Sequence, residues 1–381
     1  MTLPLDLIMF GALIGFILLG YPVAFTIAGV ATGFALLGWM LGDFNIQLMG
    51  AMGQRFFGVL INPVLTAIPL FVLMGVILEK SRIAEELLET MGRLFGRMNG
   101  GLGVSVVLVG ALLAASTGIV GATVVAMGLI ALPTMLRNGY DPKLASGMVC
   151  TAGTLGQIIP PSTLLIILAD VMSNAFQQAQ YAQGKFTIET ISVGQTFAAA
   201  MVPGLLLVVV YCVYILGRAK LFPGDAPAMR EEIDQPSARE IMAAIVPPIL
   251  LIFAVLGSIL GGIASPNEAA SVGAVGAILL AGRRLGVSTR LIVLATLALL
   301  VLAVAATVLP VRLQRSDVTV TGYLLAALYA GLAIFALGVV LRILWAAFRD
   351  GLLKASLLST LTVTSMIFAT ILMASFFSLV F

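Results

Sequence analysis

Apolar segments alternate with short polar turns along nearly all of the 381 residues. A helix needs about 20 apolar residues to cross roughly 30 Å of hydrocarbon. The recurring pattern therefore predicts an all-α polytopic membrane protein. The simple spans are predicted at Leu5–Gly20, Val23–Leu41, Pro63–Leu78, Thr196–Gly217, Ile241–Gly261, Asn267–Ala281, Leu291–Leu309, Thr321–Leu341 and Ala355–Phe381.

One apolar segment, Lys143–Phe176, is interrupted at its centre by the sequence TAGTLGQIIPPS. Proline removes an amide donor and clashes with the preceding helical turn. Pro160 and Pro161 should therefore free carbonyls near Gly156 and Gln157. Each bare carbonyl in hydrocarbon costs several kcal/mol. The pattern predicts a discontinuous helix whose break is buried in protein or binds an ion or a polar solute.

The stretch Gly100–Arg137 is nearly free of charged residues but is too short for two full membrane crossings. Its second half, Gly121–Leu136, has only 16 residues. Two short halves that meet at the small, polar group Ser116-Thr117-Gly118 predict a re-entrant hairpin. A non-helical tip at membrane depth is tolerated only where protein buries it or where it lines a cavity.

The distribution of basic residues supports this topology. With both hairpin ends in the cytoplasm, sixteen of the 20 lysines and arginines fall on the cytoplasmic side, as the positive-inside rule requires. The four on the other side are Arg55, Lys185, Arg312 and Arg315. The same arrangement predicts an N-terminus outside the cytoplasm.

The remaining segments are polar or amphipathic. Lys80–Asn99 has apolar and charged residues at helical spacing and predicts a helix that lies at the cytoplasmic interface. Phe44–Asn62 predicts a similar helix on the other side. Gln177–Gln195 and Arg218–Glu240 are predicted as long polar loops without a folded domain.

Composition narrows the function classes. Hydrophobic residues make up 61% and charged residues 10% of the chain, whereas about 25% is usual for charged residues in soluble domains. Because the chain has no histidine, histidine metal sites, histidine proton relays and histidine-dependent triads are excluded. Cys150 and Cys212 lie in apolar runs and predict no disulfide. The chain contains no H-E-x-x-H or G-x-S-x-G motif, so we do not expect an enzyme.

The hairpin tip and the broken span form a pair of disrupted segments, which is the best sequence pointer to a secondary-transporter site. Freed carbonyls suit a cation, and a half-helix N-terminus suits an anion. A proton-coupled carrier, an ion channel with broken backbone and a close-packing face of small residues remain alternatives. Asp170 and Glu268 are the carboxylates nearest to membrane depth. Each also fits a plain role, Asp170 at the interface and Glu268 at a helix start.

Three stretches resemble one transporter family. They are FGRMNGGLGVSVVLVGALLAASTGIVGATVVAMGLIALPTMLRNGYDPKLASGMVCTAGTLGQIIPPS, IPLFVLMGVILEKS and GGIASPNEAASVGA. All three resemble the DctM-type large membrane subunit of tripartite ATP-independent periplasmic (TRAP) transporters. The apolar pair between Arg290 and Leu341 is similar to the branch labelled mannitol/chloroaromatic.

The resemblance implies an elevator-type secondary transporter built from inverted repeats in the bacterial cytoplasmic (inner) membrane. It implies sodium-coupled import of a small organic anion, commonly a carboxylate, with sodium as coupling ion and no other cofactor. It also implies two protein partners: a periplasmic solute-binding protein and a small four-helix membrane subunit.

The resemblance also implies a domain division and a sodium and substrate site. The domains would be scaffold spans in 1–62, a span with an interfacial arm helix in 63–99, half of the transport domain in 100–176 (hairpin 100–137, broken helix 143–176), scaffold spans and loops in 196–354, and the first span of a second repeat in 355–381. The site residues would be Ser116, Thr117, Gly118, Thr123, Gly153, Thr154, Gly156, Pro160 and Ser162.

The chain departs from the family pattern in two ways. Where many members have S-G-S-S at the tip, it reads Thr117-Gly118-Ile119-Val120, so fewer hydroxyl ligands are expected. Family members continue past the position of Phe381 into a second hairpin and a second broken helix. We therefore expect that transport requires such a second half in addition to these 381 residues.

Overall fold

The computed structural model describes residues 5–117, 120–229, 236–309 and 320–381. Fifteen α-helices lie in these ranges. They are α1 (Leu5–Leu18), α2 (Val23–Leu41), α3 (Met52–Leu60), α4 (Ala67–Lys80), α5 (Ile83–Phe95), α6 (Gly101–Thr117), α7 (Val120–Arg137), α8 (Pro142–Thr154), α9 (Thr163–Ala182), α10 (Val193–Leu221), α11 (Ala238–Leu260), α12 (Pro266–Arg284), α13 (Thr289–Val308), α14 (Val320–Asp350) and α15 (Leu352–Val380). Short 3-10 helices occupy Ile46–Ala51 and Leu155–Gln157.

The prediction of an all-helical polytopic membrane protein is confirmed for the described ranges. Five of their helices, α2, α10, α11, α14 and α15, are long and apolar enough to cross a membrane. Shorter apolar helices include the two limbs of the predicted hairpin, α6 and α7. The predicted span Val23–Leu41 coincides with α2, whereas α14 continues nine residues beyond the predicted end at Leu341.

The chain divides into two compact units. The first consists of the described residues up to Pro69 together with Ser359–Phe381. Its core is formed by α1, α2 and the last turns of α15, and the rings of Phe10 and Phe377 meet edge to face with centroids 5.5 Å apart. The buried members of this core are Met9, Ile27, Val30, Ala31, Phe376 and Phe377.

The second unit, Leu70–Leu358, contains the hairpin and the broken helix. Its largest core cluster lies around α6, of which Val106, Val107 and Val109 are fully buried. Gly110 lets α6 come close to α8, since a Cβ built on Gly110 would lie 2.8 Å from the Cβ of Ala152. Small residues therefore let α6 pack tightly against α8.

Helix α5 confirms the predicted amphipathic helix but differs in what covers its apolar face. Leu87 and Leu88 are buried in the same core cluster as Leu102 of α6. On the polar face, Arg283 Nη2 lies 3.4 Å from Glu86 Oε1. The apolar face of α5 is thus packed against protein, and its place at the cytoplasmic interface stays a prediction.

The two predicted polar loops are shorter than expected. Helix α9 continues to Ala182 and α10 begins at Val193, so much of Gln177–Gln195 is helical. The side chain of Gln180 is buried and explains the extension, because it bonds both the backbone nitrogen and the carbonyl of Glu189. The second predicted loop also loses its start to helix, since α10 runs to Leu221.

Candidate functional site

The two ends of the hairpin that lie away from its tip meet on one side of the second unit. The start of α6 contacts the turn that follows α7, because the Gly103 amide donates to the Tyr140 hydroxyl at 3.3 Å. The segment that follows α10 bridges both: Gly100 N donates to Ala226 O at 2.8 Å, and Asp141 N donates to Asp225 O at 2.9 Å. Burial raises the pKa of the Tyr140 phenol above its usual range. The limbs are thus an antiparallel hairpin with both ends on the same side.

The hairpin and the broken helix contact one another. A Cβ built on Gly153 would lie 3.0 Å from the Cα and 3.1 Å from the nitrogen of Val124, in the first turns of α7. Helix α6 runs beside α8, with Gly103 against Met148 and Gly110 against Ala152. Its C-terminal end accordingly packs against the 3-10 helix Leu155–Gln157. The limbs of the hairpin therefore pack directly beside the broken helix.

The break itself is buried in protein. It extends from Ile158 to Ser162 between the 3-10 helix and α9, and Ile159, Pro160 and Pro161 are all buried. The Ser162 hydroxyl donates to the Gln157 carbonyl at 3.0 Å. This bond satisfies one of the carbonyls that the two prolines were predicted to free. Irregular backbone at this depth agrees with the rule that protein or a cavity must cover it.

Ser162 also begins α9. Its backbone is extended, and its hydroxyl oxygen faces the Leu165 amide at 3.5 Å in the N-cap position. The 20-residue helix α9 therefore starts directly beside the break. Its N-terminus contributes a positive dipole end of about half an elementary charge.

Most of the predicted site residues lie in the described ranges. Gly153 of α8 and Gly156 of the 3-10 helix are buried, as are Pro160 and Ser162 in the break, and Thr123 of α7 is 2% exposed. Thr154 is exposed instead, and its hydroxyl donates to the Thr151 carbonyl at 2.8 Å within α8. Ser116 and Thr117 end α6, where only their backbone is described, and Gly118 lies outside the described residues.

Two residues at the site were not predicted. Gly204 of α10 covers the break: a Cβ built there would lie 3.1 Å from Ile159 Cγ1 and 3.5 Å from the Ile158 carbonyl. The signal was present as Pro203-Gly204 in the middle of an apolar span. Thr163, the first residue of α9, is 5% exposed beside Ser162. A hydroxyl at the first turn of a membrane helix was the missed signal.

Carboxylates contribute little to this region. No group of three or more His, Cys, Asp or Glu that could hold a metal ion occurs in the described ranges. Glu268 caps α12, since its Oε2 accepts from Ser265 N at 2.8 Å and from Ser265 Oγ at 2.9 Å. The plain interpretation of Glu268 as a helix-start residue is therefore confirmed. Within the break, from Ile158 to Ser162, the oxygen atoms are backbone carbonyls and the Ser162 hydroxyl, and the amide of Gln157 directly precedes it.

Comparison with known proteins agrees with this architecture. A sequence model of the family described as "Tripartite ATP-independent periplasmic transporter, DctM component" matches residues 10–380. The C4-dicarboxylate TRAP transporter large permease protein DctM of Vibrio cholerae is 30% identical over 270 residues, which cover 70% of this chain and 54% of that protein. Its namesake in Pseudomonas aeruginosa is 37% identical over 214 residues, 55% of this chain and 45% of that protein.

A third relative is named for a different substrate. The ectoine TRAP transporter large permease protein TeaC of Halomonas elongata is 29% identical over 280 residues, 72% of this chain and 58% of that protein. The chain spans about half the length of the curated relatives it matches. Because the family model matches nearly from end to end, the chain belongs to the DctM component family of tripartite ATP-independent periplasmic transporters, which are multi-pass membrane permeases and not enzymes.

Proposed function

We propose that this chain forms part of the membrane permease of a sodium-coupled secondary transporter that imports a small organic anion. An extracytoplasmic solute-binding protein delivers the anion, and a small four-helix membrane subunit braces the permease. The complex lies in the bacterial cytoplasmic membrane, with the N-terminus of this chain on the periplasmic side.

The contact between the hairpin and the break in the broken helix carries the proposal. Irregular backbone at membrane depth is costly unless it is buried or lines a cavity. Here the break lies beside the hairpin limbs, with Gly153 against Val124 and α6 against the 3-10 helix Leu155–Gln157. Paired discontinuous segments of this kind are the usual site of substrate and coupling ion in secondary transporters.

Sodium is the coupling ion that suits these donors. Unwound backbone carbonyls and the C-terminal ends of half-helices coordinate sodium in such sites. The donors that we assign are the backbone around Gly153 and Gly156, the hydroxyls of Thr123 and Ser162, and the backbone of Ser116 and Thr117 at the end of α6. Gly118 and Thr154 stay predictions from the sequence. A proton-coupled carrier would instead need a titratable group at the break.

A small carboxylate is the substrate class that we assign. The N-terminus of α9 faces the break, and a helix N-terminus favours an anion. Two of the matched relatives are named as C4-dicarboxylate transporters.

The decisive experiment uses the complete transporter that contains this chain, reconstituted in proteoliposomes with its loaded binding protein. An inward sodium gradient should drive uptake of a radiolabelled dicarboxylate, and replacement of sodium by choline should abolish it. Equal uptake in choline would refute sodium coupling. Uptake driven by a pH jump without sodium would establish the proton-coupled alternative instead.

A further inference from the structure

An open pocket of about 760 Å³ lies apart from the hairpin and the broken helix. Its walls are the C-terminal ends of α4, α12 and α14 with the turns that follow them, and no residue of α6 to α9 lines it. The positive-inside rule predicts that these ends face the cytoplasm. Five basic side chains and one acidic side chain line the pocket: Lys80, Arg82, Arg284, Arg342, Arg349 and Asp350.

The positive charge exceeds what the helix ends require. Each helix C-terminus carries about half a negative charge, so the three ends together carry about −1.5. Two arginines have carboxylate neighbours: Arg82 Nε lies 4.0 Å from Glu85 Oε2, and Arg284 Nη2 lies 3.9 Å from Glu86 Oε2.

Arg342 and Arg349 differ from these two. Neither forms an ion pair within 4.0 Å with another described residue. They are seven residues apart on α14 and therefore lie on the same face of the helix. Two exposed guanidinium groups thus line one cavity, and no carboxylate of the described ranges neutralises them at contact distance.

The depth of these arginines matches lipid headgroups. The nine residues of α14 beyond Leu341 add about 13 Å of helix. The headgroup layer on each side of a bilayer is about 5–8 Å thick, so this extension crosses it. Trp345 lies between the two arginines, is 65% exposed and stacks on Phe348 with centroids 6.2 Å apart. Exposed tryptophan is enriched at the membrane interface.

An exposed apolar stripe leads from the pocket along α14 into the membrane. Ile334, Leu337 and Leu341 are exposed and continue the face that carries Trp345, at helical spacings of three and four. An acyl chain can lie on this stripe while its headgroup reaches the pocket. A free anion would gain nothing from the stripe, so the surface favours an amphiphile.

We propose that this pocket binds the phosphate of an anionic phospholipid. Arg342 and Arg349 contact the phosphate oxygens, because a guanidinium group fits phosphate through paired hydrogen bonds. Trp345 lies at the glycerol level, and the stripe Ile334–Leu341 contacts an acyl chain. Basic pockets between membrane helices on the cytoplasmic side recognise anionic headgroups by this chemistry.

The test measures lipid binding to the detergent-purified complete transporter. Short-chain phosphatidylglycerol, short-chain phosphatidylcholine and inorganic phosphate are titrated separately, and the apparent Kd is measured by thermophoresis. The pocket variant is R342Q/R349Q. The control is R290Q/K354Q, which removes two exposed positive charges from neighbouring helix ends that do not line the pocket.

Phosphatidylglycerol should bind the parent protein and the control with the same Kd within about twofold. The pocket variant should bind it roughly 30-fold more weakly, since each basic residue near an anionic headgroup contributes about a fivefold factor. Equal binding by the pocket variant, or equal affinity for phosphatidylcholine, would overturn the proposal. If inorganic phosphate binds as tightly as phosphatidylglycerol, the proposal that the ligand is a lipid is refuted, and the pocket is a site for soluble phosphate.

A second measurement needs no variant and so does not depend on how R342Q/R349Q folds. The parent protein is placed in nanodiscs with photoactivatable phosphatidylglycerol, and cross-linked peptides are mapped by mass spectrometry. Cross-links should concentrate in 334–352. An even distribution over all lipid-facing helices would contradict a specific site.

Discussion

Ser162 joins the two sides of the broken helix through a single hydroxyl. That hydroxyl bonds the Gln157 carbonyl at 3.0 Å and also occupies the N-cap position of α9. Loss of a cap costs about 0.5–2 kcal/mol. Loss of the part-buried bond to the Gln157 carbonyl costs about 1–2 kcal/mol more. Ser162 is thus the residue at which stability and the shape of the proposed sodium site depend on one atom.

We expect Ser162→Ala to lower the free energy of unfolding by about 2–4 kcal/mol and to reduce sodium-dependent uptake. Ser162→Thr keeps the hydroxyl and should recover much of both. The control is Ser146→Ala, since Ser146 is exposed on α8 and its hydroxyl donates to the carbonyls of Pro142 and Lys143 of its own helix. Denaturant titration and proteoliposome uptake provide the two readouts. An unfolding curve for S162A that overlays the S146A curve would contradict this role.

Gly153 sets the distance between the broken helix and the hairpin. A methyl group at this position would contact the backbone of Val124, at 3.0 Å from its Cα, and must push α8 and α7 apart. We therefore expect Gly153→Ala to destabilise the protein by about 1–3 kcal/mol and to weaken sodium-dependent uptake.

Gly147 is the matched control for Gly153, because it lies on the same helix and a Cβ there has no atom within 4 Å. Gly147→Ala should be neutral, or stabilising by up to about 1 kcal/mol, through helix propensity alone. Uptake by G147A should equal that of the parent protein. If G153A and G147A behave alike in both assays, the close contact with Val124 has no importance for the site.

Residue types were easier to predict than their contacts. The prolines and glycines of the break could be recognised directly, because few residue types interrupt a membrane helix so strongly. The sequence could not show that Ser162 supplies the missing donor for Gln157, since that bond depends on the path of the chain through the break. It also could not show that Gly204, more than 40 residues away, covers the break.

Helix α5 shows the same limit at the scale of elements. Its spacing predicts one apolar face, but an apolar face packs equally well on lipid or on protein. In the structure, Leu87 and Leu88 join the core around α6, and Ser105 of α6 donates to the Met91 carbonyl at 2.8 Å. The partner of this apolar face is therefore known only from the contacts with α6, which the spacing of α5 does not reveal.

Packing on protein gives a measurable consequence for α5. Leu87 is 1% exposed, so Leu87→Ala should cost about 2–5 kcal/mol and raise hydrogen exchange throughout Ile83–Phe95. Leu94 of the same helix is 38% exposed, and Leu94→Ala should cost under about 1 kcal/mol. Equal effects of L87A and L94A would indicate that lipid, not α6, covers the apolar face.

The topology of the whole molecule depends on how many times the chain crosses the bilayer before α10. The hydrogen bonds from Gly100 and Asp141 to the segment after α10 place both hairpin ends on one side, which excludes a single crossing by α6 and α7 together. Helix α6 has 17 residues and is about 25 Å long, less than the roughly 30 Å of hydrocarbon. The charge tally reached the same topology from sequence because flanking charge records orientation without knowledge of contacts.

This topology can be tested with single cysteines in a background that lacks Cys150 and Cys212. Glu89 on α5 and Arg290 on α13 should face the cytoplasm, and Lys185 after α9 should face the outside. In right-side-out vesicles, a membrane-impermeant maleimide should label K185C at once, and E89C and R290C only after permeabilisation. The pair E89C and K185C decides the hairpin, because only the hairpin and the broken helix separate them. If the hairpin enters and leaves on the same side, only the broken helix crosses the bilayer between the two cysteines, and they are labelled from opposite sides. If the hairpin crosses the bilayer once, both cysteines are labelled from the same side. That result would contradict the hairpin and the sodium site proposed at its tip.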